Sequence, residues 1–215
     1  MGKELFLGPV TGSYVSLDKP KPIKGSDKET YSMMLLFKPG EDLSALKKAM
    51  FAAAVEKWSD KAAAIVKHPK FKNPLKDQAE LIDDQGDPRA GTTPGAMFIN
   101  ASNFLKPLVL DEAVNRVTDP RVTYSGALYR VKVEVFAWDH PTGGKGITVS
   151  LLGVQKVGDG PRLGGSGGRA DVSDFQPVGD GKTASDVFGG AEDPFGAAPA
   201  RGGAKAGDFD DEIAF

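Results

Sequence analysis

Cysteine is absent from the 215 residues, and histidine occurs only twice, as His68 and His140. Without cysteine the protein has no disulfide, no thiolate zinc site and no cysteine nucleophile. With two histidines it has little of the side chain that most metal sites and acid–base catalysis use. We therefore expect no metal, no cofactor and no catalytic residue, and we expect a protein that is not an enzyme.

Long apolar runs are also absent. No run approaches the roughly 18 to 20 apolar residues that a membrane-spanning helix needs. The start of the chain, MGKELFLGPV, has neither the charged region nor the apolar region of a signal peptide. We expect a cytoplasmic protein that does not contact membranes.

Charge is divided unevenly along the chain. Residues 1–156 contain 22 Lys and Arg against 18 Asp and Glu, a net charge of +4, whereas residues 157–215 contain 5 against 11, a net charge of −6. A basic body with an acidic tail is typical of a protein whose body binds a polyanion and whose tail binds something else.

Composition separates the same two parts. Residues 158–207 hold 14 of the 27 glycines and show no periodic apolar pattern, so burial cannot offset the entropy that ordering would cost. We predict a folded domain over 1–157, a flexible linker rich in glycine and proline over 158–207, and an acidic tip over 208–215.

Short runs of β-forming residues alternate with turn residues in the body. We predict strands from Glu4 onward, over 31–37 and over 96–102. One helix interrupts them, with Asp42 as its N-cap and His68-Pro69 at its end, because apolar residues between these points repeat at steps of three and four. The polar connection over 67–95 is predicted to be irregular, and such long connections often carry function.

The segment TYSGALYRVKVEVFAWD, over 123–139, alternates two kinds of side chain. A strand sends alternate side chains to opposite faces. One face is predicted to be core: Ala127, Tyr129, Val131, Val133, Val135 and Ala137. The other interleaves rings with charges: Tyr124, Arg130, Lys132, Glu134, Phe136 and Trp138. The alternative is a strand covered on both sides, with Phe136 and Trp138 in a second core.

The turn HPTGGKG leads from this strand into an apolar run over 146–157, which completes a predicted hairpin. Several strands with a single inserted helix indicate a mainly β protein. We predict a small Greek-key β-barrel with one inserted α-helix and a disordered acidic C-terminal tail.

Aromatic rings beside cations suit an unpaired nucleic-acid strand. Unpaired bases stack on such rings at about 1 to 3 kcal/mol per base, and Lys or Arg beside phosphates gains free energy by counterion release. A duplex hides the faces of its bases. The predicted contacts with single-stranded DNA are Tyr124, Phe136, Trp138, Tyr14 and Tyr31 for stacking, and Arg130, Lys132 and Lys145 for phosphates.

Several sequence blocks together resemble a known family. They are Val122-Thr123-Tyr124-Ser125-Gly126, Phe136-Ala137-Trp138-Asp139, Gly144-Lys145-Gly146-Ile147 and Leu152-Gly153-Val154-Gln155-Lys156. In this order they are similar to phage-encoded single-stranded DNA-binding proteins of the T7 type, which are built on an OB-fold. The resemblance covers most of residues 5–175. It implies a bacteriophage protein that coats and protects single-stranded DNA in DNA replication, recombination and repair.

The last residues, DFDDEIAF, are similar to the acidic tip of bacterial single-stranded DNA-binding proteins, which commonly ends in DDDIPF. This resemblance implies that the tip recruits replication and recombination proteins, such as a polymerase, helicase, primase or nuclease. Physically, Phe215 can enter an apolar pocket while its carboxylate pairs with a basic residue. The predicted partner-binding residues are Asp208, Phe209, Asp210, Asp211, Glu212, Ile213 and Phe215.

Two other functions stay open on the sequence alone. A structural or scaffold protein would bury the aromatic face and dock an assembly partner through its tail. A nuclease would use Asp83, Asp84 and Asp87 with Mg²⁺, although a solvated turn is the commoner explanation of such a run. A homodimer is also open, because nothing in the sequence sets the oligomeric state.

Overall fold

The computed structural model describes residues 2–23 and 25–163. Most of the predicted linker and the whole predicted tip lie outside the described residues. The strands of the described part are β1 Lys3–Pro22, β2 Glu29–Leu36, β3 Leu75–Asp77, β4 Met97–Asn103, β5 Leu108–Leu110, β6 Leu128–His140 and β7 Gly144–Gly158. Its helices are α1 Ser44–Trp58 and α2 Ala62–Val66, with 3₁₀ turns at Ser59–Lys61, Gln78–Glu80 and Pro120–Val122. Neither described helix is long and apolar enough to cross a membrane.

Five of the strands close into a barrel. β1 pairs antiparallel with β2 and β6, β2 pairs antiparallel with β4, and β6 pairs antiparallel with β7. A parallel bridge between Ser102 and Ser150 joins β4 to β7 and completes the circle. The short strands β3 and β5 add to β4 and β7. This five-stranded barrel confirms the predicted fold class, an OB-fold.

The β6 strand shows how the sequence sets the inner face of the barrel. Tyr129, Val131, Val133 and Val135 are fully buried, whereas Arg130 between them is exposed. Each buried aliphatic side chain stabilises the fold by about 1.5–3 kcal/mol. A shift of one residue would turn all four side chains to solvent, so this run fixes the register of β6 and confirms its predicted alternation.

The helix predicted as one element is divided in two. Its apolar stripe packs on the barrel core, with Leu46, Met50 and Trp58 buried, but α1 ends at Trp58. Ser59 has a φ of 51° and begins a 3₁₀ turn that leads into α2. The sequence did not indicate this break because the apolar spacing continues into α2, whose Ala62 is buried in the same core.

The N-cap position of α1 is Leu43 and not the predicted Asp42. The helix begins at Ser44 and its flanking residue is Leu43. The Asp42 carboxylate nevertheless accepts hydrogen bonds from the Ser44 amide at 2.9 Å and the Ser44 hydroxyl at 3.1 Å. The bond from the amide is the main reason that the pKa of Asp42 lies below its ordinary value. The residue therefore satisfies a free amide at the helix start, which is the function of a cap.

A buried glutamine anchors the connection between α2 and β4. Gln78 donates through Nε2 to the carbonyl oxygens of Phe37 and Met97, each at 2.8 Å, and its Oε1 accepts from the Thr93 amide at 2.8 Å. A buried amide with these partners holds the loop against the barrel. The prediction of an irregular segment over 67–95 is wrong in part, because the segment contains β3 and a 3₁₀ turn.

The aspartates of the same connection form a turn. Asp83 Oδ1 accepts hydrogen bonds from the amides of Gln85 and Asp87, both at 2.9 Å, and the Asp83 amide donates to the Asp87 carbonyl. These bonds support the turn interpretation of the acidic run. Within residues 2–23 and 25–163, no group of three or more His, Asp or Glu side chains is placed to hold a metal ion.

The prediction that Tyr124 lies on the outer face of β6 is wrong, because β6 begins at Leu128. Gly126 turns the chain with a φ of 111°, and a Cβ there would overlap the carbonyl oxygen of Pro161. The extended run therefore starts only after this glycine. Tyr124 packs against the edge of the core instead, and its hydroxyl donates to Asp159 at 2.7 Å.

Candidate nucleic-acid interface

The outer face of β6 continues onto its neighbour β1. The guanidinium carbon of Arg130 lies 4.8 Å from the ring centroid of Phe6, and 59% of Phe6 is exposed. Arg130 forms no ion pair with any other described residue. Beside this pair, Lys132 contacts Glu4 at 2.6 Å. An exposed ring and a cation without a carboxylate partner therefore lie together on this face.

Phe136 and Trp138 lie further along the same face. Phe136 is 38% exposed, and Trp138 is half-buried with Lys72 Nζ 5.5 Å from its ring centroid. A cation at this distance is attracted to the face of an indole. The alternative in which both rings belong to a second core is wrong, because both keep part of their surface in solvent.

Lys72 reaches Trp138 because its main chain joins the β6–β7 hairpin. The Lys72 amide donates to the Lys145 carbonyl at 3.0 Å, and the Lys72 carbonyl accepts from the Ile147 amide at 3.2 Å. Between these two bonds lies Gly146, where a Cβ would come within 2.8 Å of Lys72 Cβ and of Trp138 Cζ2. This close approach requires glycine at position 146.

Lys145 is held on the same hairpin by Asp139. Their side chains form an ion pair, and Lys145 Nζ is 5.9 Å from the ring centroid of Trp58. The hydrogen bond from Lys145 holds the pKa of Asp139 below its ordinary value, with smaller contributions from the Trp58 indole and the charge of Lys57. The Asp139 carboxyl is therefore ionised at neutral pH. Because the pair is exposed, it is also weak, and another anion can compete for Lys145.

Tyr14 lies on a different part of β1. Its φ of 49° falls where the pairing with β2 shifts between Ser13 and Ser16, and a bulge of this kind redirects a side chain. The ring is 48% exposed, its hydroxyl accepts a hydrogen bond from Arg89, and the Arg89 guanidinium carbon is 5.7 Å from the ring centroid. Tyr14 and Arg89 thus form a second exposed pair of ring and cation.

Tyr31 and Tyr124 are less accessible to a ligand. Tyr31 is half-buried on β2, opposite Asn103 of β4. The ring of Tyr124 already has Lys156 Nζ at 5.3 Å and the Arg162 guanidinium carbon at 4.2 Å from its centroid. A base that stacks on Tyr124 must displace one of these cations.

Four of the predicted DNA contacts share the outer face of β6, namely Arg130, Lys132, Phe136 and Trp138, and Lys145 lies on the adjoining strand β7. Tyr14, Tyr31 and Tyr124 lie on other elements and have different neighbours. The predicted partner-binding residues lie outside the described residues: Asp208, Phe209, Asp210, Asp211, Glu212, Ile213 and Phe215.

Sequence reasoning missed Phe6, Lys72 and Arg89. Phe6 had only an ambiguous signal, because Leu5, Phe6 and Leu7 are all apolar and the burial of Leu7 shows only in the structure that Phe6 points outward. Lys72 and Arg89 had none. They belong to the connection between α2 and β4, whose path depends on bonds to residues far away in the sequence.

Comparison with known proteins agrees with this architecture. The family model of the single-stranded DNA-binding protein of Enterobacter phage Enc34 matches residues 3–188. Protein p50 of Acyrthosiphon pisum secondary endosymbiont phage 1 is 31% identical over 179 residues, which cover 81% of this chain and 94% of that protein.

Two solved structures show the same fold. The Enc34 single-stranded DNA-binding protein in complex with single-stranded DNA gives a TM-score of 0.58 at 24% identity, covering 75% of this chain and 89% of its own. The bacteriophage T7 single-stranded DNA-binding protein gp2.5 gives a TM-score of 0.52 at 15% identity, covering 86% of this chain and 100% of its own. The match of the family model over most of the sequence establishes that this chain belongs to the family of the Enterobacter phage Enc34 single-stranded DNA-binding protein.

Proposed function

We propose that the protein binds single-stranded DNA without reading its sequence, and coats it. The observation that carries this proposal is the outer face of β6, where exposed and half-buried rings lie beside cations on an OB barrel. Phe6 with Arg130, and Trp138 with Lys72, are the two clearest pairs. Membership of the phage family supports the same function.

In this proposal the rings bind bases and the cations bind phosphates. Phe6, Phe136 and Trp138 stack on unpaired bases, each stack contributing about 1 to 3 kcal/mol. Arg130 and Lys72 form no ion pair with described residues, so they can contact phosphates directly and release counterions. A duplex cannot use the rings, because its bases are already stacked on each other.

Lys132 and Lys145 contact phosphates after each has released the carboxylate with which it forms an ion pair in the free protein. Their carboxylate partners, Glu4 and Asp139, lie at the surface. Surface ion pairs are weak and screened by salt, so a DNA phosphate can take the place of the carboxylate. When only the five barrel strands are counted, the β6–β7 hairpin is the loop between strands 4 and 5. OB-folds commonly bind oligonucleotides at this loop.

Tyr14, Tyr31 and Tyr124 are secondary contacts in the same proposal. Tyr14 with Arg89 offers a further ring and cation for a longer strand. Tyr31 lies on the second barrel strand, which belongs to the surface that OB-folds use for oligonucleotides. Tyr124 contributes only where DNA displaces one of its own cations.

We infer that the bound strand is an intermediate of phage DNA replication, recombination and repair in the host cytoplasm. Coating and protecting such a strand requires no covalent bond to form or break. The stacking and phosphate contacts also require no metal and no cofactor. The proposed protein is therefore a binding protein and not an enzyme.

We also infer that the tip over 208–215 recruits other proteins. It combines four carboxylate side chains with the apolar side chains of Phe209, Ile213 and Phe215, a combination that suits a basic surface with an apolar pocket. The test compares the full chain with a chain ending at residue 207 for binding to purified polymerase, helicase, primase and nuclease of the host. Binding that disappears with the tip supports recruitment, and binding that persists contradicts it.

Intrinsic fluorescence tests DNA binding itself, because the protein contains two tryptophans, Trp58 and Trp138. Trp58 is buried, whereas Trp138 lies on the proposed interface. We expect saturable quenching when oligo(dT) is added, and loss of most of that quenching in Trp138→Phe. A titration without saturable quenching, or one that Trp138→Phe leaves unchanged, contradicts stacking on Trp138.

A further inference from the structure

A cavity of about 490 Å³ lies where α2 approaches the β6–β7 hairpin. Its apolar surface is formed by Ala64, Ile65 and Phe71, and its cationic surface by Lys61, Lys70 and Lys145. The Phe71 ring is fixed edge-on against Trp58, with centroids 6.2 Å apart and planes at 78°. The cavity therefore combines an ordered aromatic wall with three ammonium groups.

The charge of this cavity suits an anion. Lys61 and Lys70 form no ion pair with any residue of the described part, and no carboxylate lines the cavity. The cavity beside Tyr14 differs, because Asp83 and Asp84 line it together with its cations. At the α2 cavity the nearest recorded carboxylate is that of Asp139, which pairs with Lys145 from outside the lining.

The same cavity also suits a planar apolar group, because Phe71 and Ile65 line it together with the lysines and present carbon surface. A nucleotide has both properties, since its base is a flat ring with an exposed π-face and its phosphate is an anion. The base of a nucleotide can therefore pack on Phe71 and Ile65, and its phosphate can bind the lysines.

The cavity is continuous with the interface on β6. Lys145 lines the cavity, and its main chain is bonded to Lys72, whose ammonium lies over Trp138. Lys72 and Lys145 thus connect Trp138 on the β6 interface with the lining of the cavity. We propose that this cavity binds a nucleotide of the same single strand, so that the DNA path runs from β6 across the hairpin to α2.

This proposal rests on the proposed function and can fail without it. The test uses two neighbouring alanines of α2, both exposed, of which only Ala64 lines the cavity. Ala64→Glu places a carboxylate inside the cavity. Ala63→Glu adds the same charge to the same short helix outside it. Binding of both full-length variants to oligo(dT) is measured by fluorescence anisotropy, after circular dichroism has established that they fold.

We expect Ala64→Glu to weaken the Kd at least about 5-fold, the loss of one base stack. We expect Ala63→Glu to stay within about twofold of the unmodified protein, because an exposed charge is largely screened. The oligonucleotide length at which affinity stops rising should also shorten in Ala64→Glu alone. Equal losses in both variants overturn the proposal, while the binding of the unmodified protein still upholds the proposed function.

The acidic tip of this chain also combines aromatic rings with anionic groups. The experiment distinguishes the tip from DNA by the direction in which the affinity for DNA changes. If the tip occupies the cavity, Ala64→Glu expels it and leaves DNA affinity unchanged or tighter. That result overturns the proposal. Cross-linking of the unmodified protein to an oligonucleotide that carries 5-iodouracil gives a second measurement. A cross-link at Phe71 supports the nucleotide site, and cross-links confined to other aromatic residues contradict it.

Discussion

Replacement of Trp138 by alanine removes a ring of the proposed DNA interface on β6. Trp138 is half-buried, with Lys72 over its face and the bare backbone of Gly146 against its edge. The substitution leaves Lys72 and the other cations in place. Any loss of affinity therefore reports on the ring rather than on the charge of the surface.

The structure sets the expected magnitude. One base stack is worth about 1 to 3 kcal/mol, so Trp138→Ala should raise the Kd for oligo(dT) by about 5- to 160-fold. The cost in folding stability should stay below the about 3–5 kcal/mol typical of a fully buried Trp or Phe, because Trp138 is only half-buried. A domain with about 5–15 kcal/mol of stability survives such a loss.

Fluorescence anisotropy with labelled oligo(dT) measures the change, with two matched variants. Trp138→Phe keeps a ring and should retain most of the affinity. Phe51→Ala removes a ring that is 49% exposed on α1 and has no cation over it within the described part, and should bind normally. Equal losses for Trp138→Ala and Phe51→Ala, or no loss in either, would show that Trp138 does not stack on a base.

The other predictions concern salt, stability, its dependence on pH, and the tail. Affinity for oligo(dT) should fall steeply between low and physiological salt, because phosphate contacts release counterions; a flat titration would count against them. Tyr129→Phe should lower the free energy of unfolding by about 1 to 3 kcal/mol, because the Tyr124 amide and carbonyl, each 2.8 Å from the Tyr129 hydroxyl, lose their partner; unchanged urea denaturation would contradict this. Burial raises the pKa of Tyr129 to about 12, so its contribution to stability should be complete below pH 10 and lost as the pH rises towards 12, a dependence that Tyr129→Phe should lack. Deletion of 206–215 should tighten DNA binding at low salt, because residues 157–215 carry a net charge of −6 and compete for the basic body; unchanged affinity would exclude that competition.

The sequence was most informative where one face of an element is buried. In β6 the inward run from Tyr129 to Val135 leaves one possible register, so its alternation could be predicted before the structure was known. The hairpin with β7 follows from the turn residues between the two strands. The closed barrel was also predictable, because a mainly β chain with a single inserted helix has few ways to cover its sheet edges.

The sequence was least informative where backbone conformation or distant contacts decide the outcome. The break at Ser59 left no trace in the apolar spacing. The position of Tyr124 depends on how closely Pro161 approaches Gly126. Lys72 becomes part of the candidate interface only because Gly146 has no side chain, which allows the main chain around Lys72 to pack against the β6–β7 hairpin. These features depend on tertiary packing between segments that are separate in the sequence.

Base stacking is tested by comparing the affinity of the full chain for a single-stranded oligonucleotide and for a duplex of the same length at the same salt concentration. Because only unpaired bases can stack on Phe6, Phe136 and Trp138, we expect the single strand to bind at least about 5-fold more tightly, the gain from one stack. Equal affinity for the two forms would show that phosphate contacts alone carry the binding, and would contradict the account.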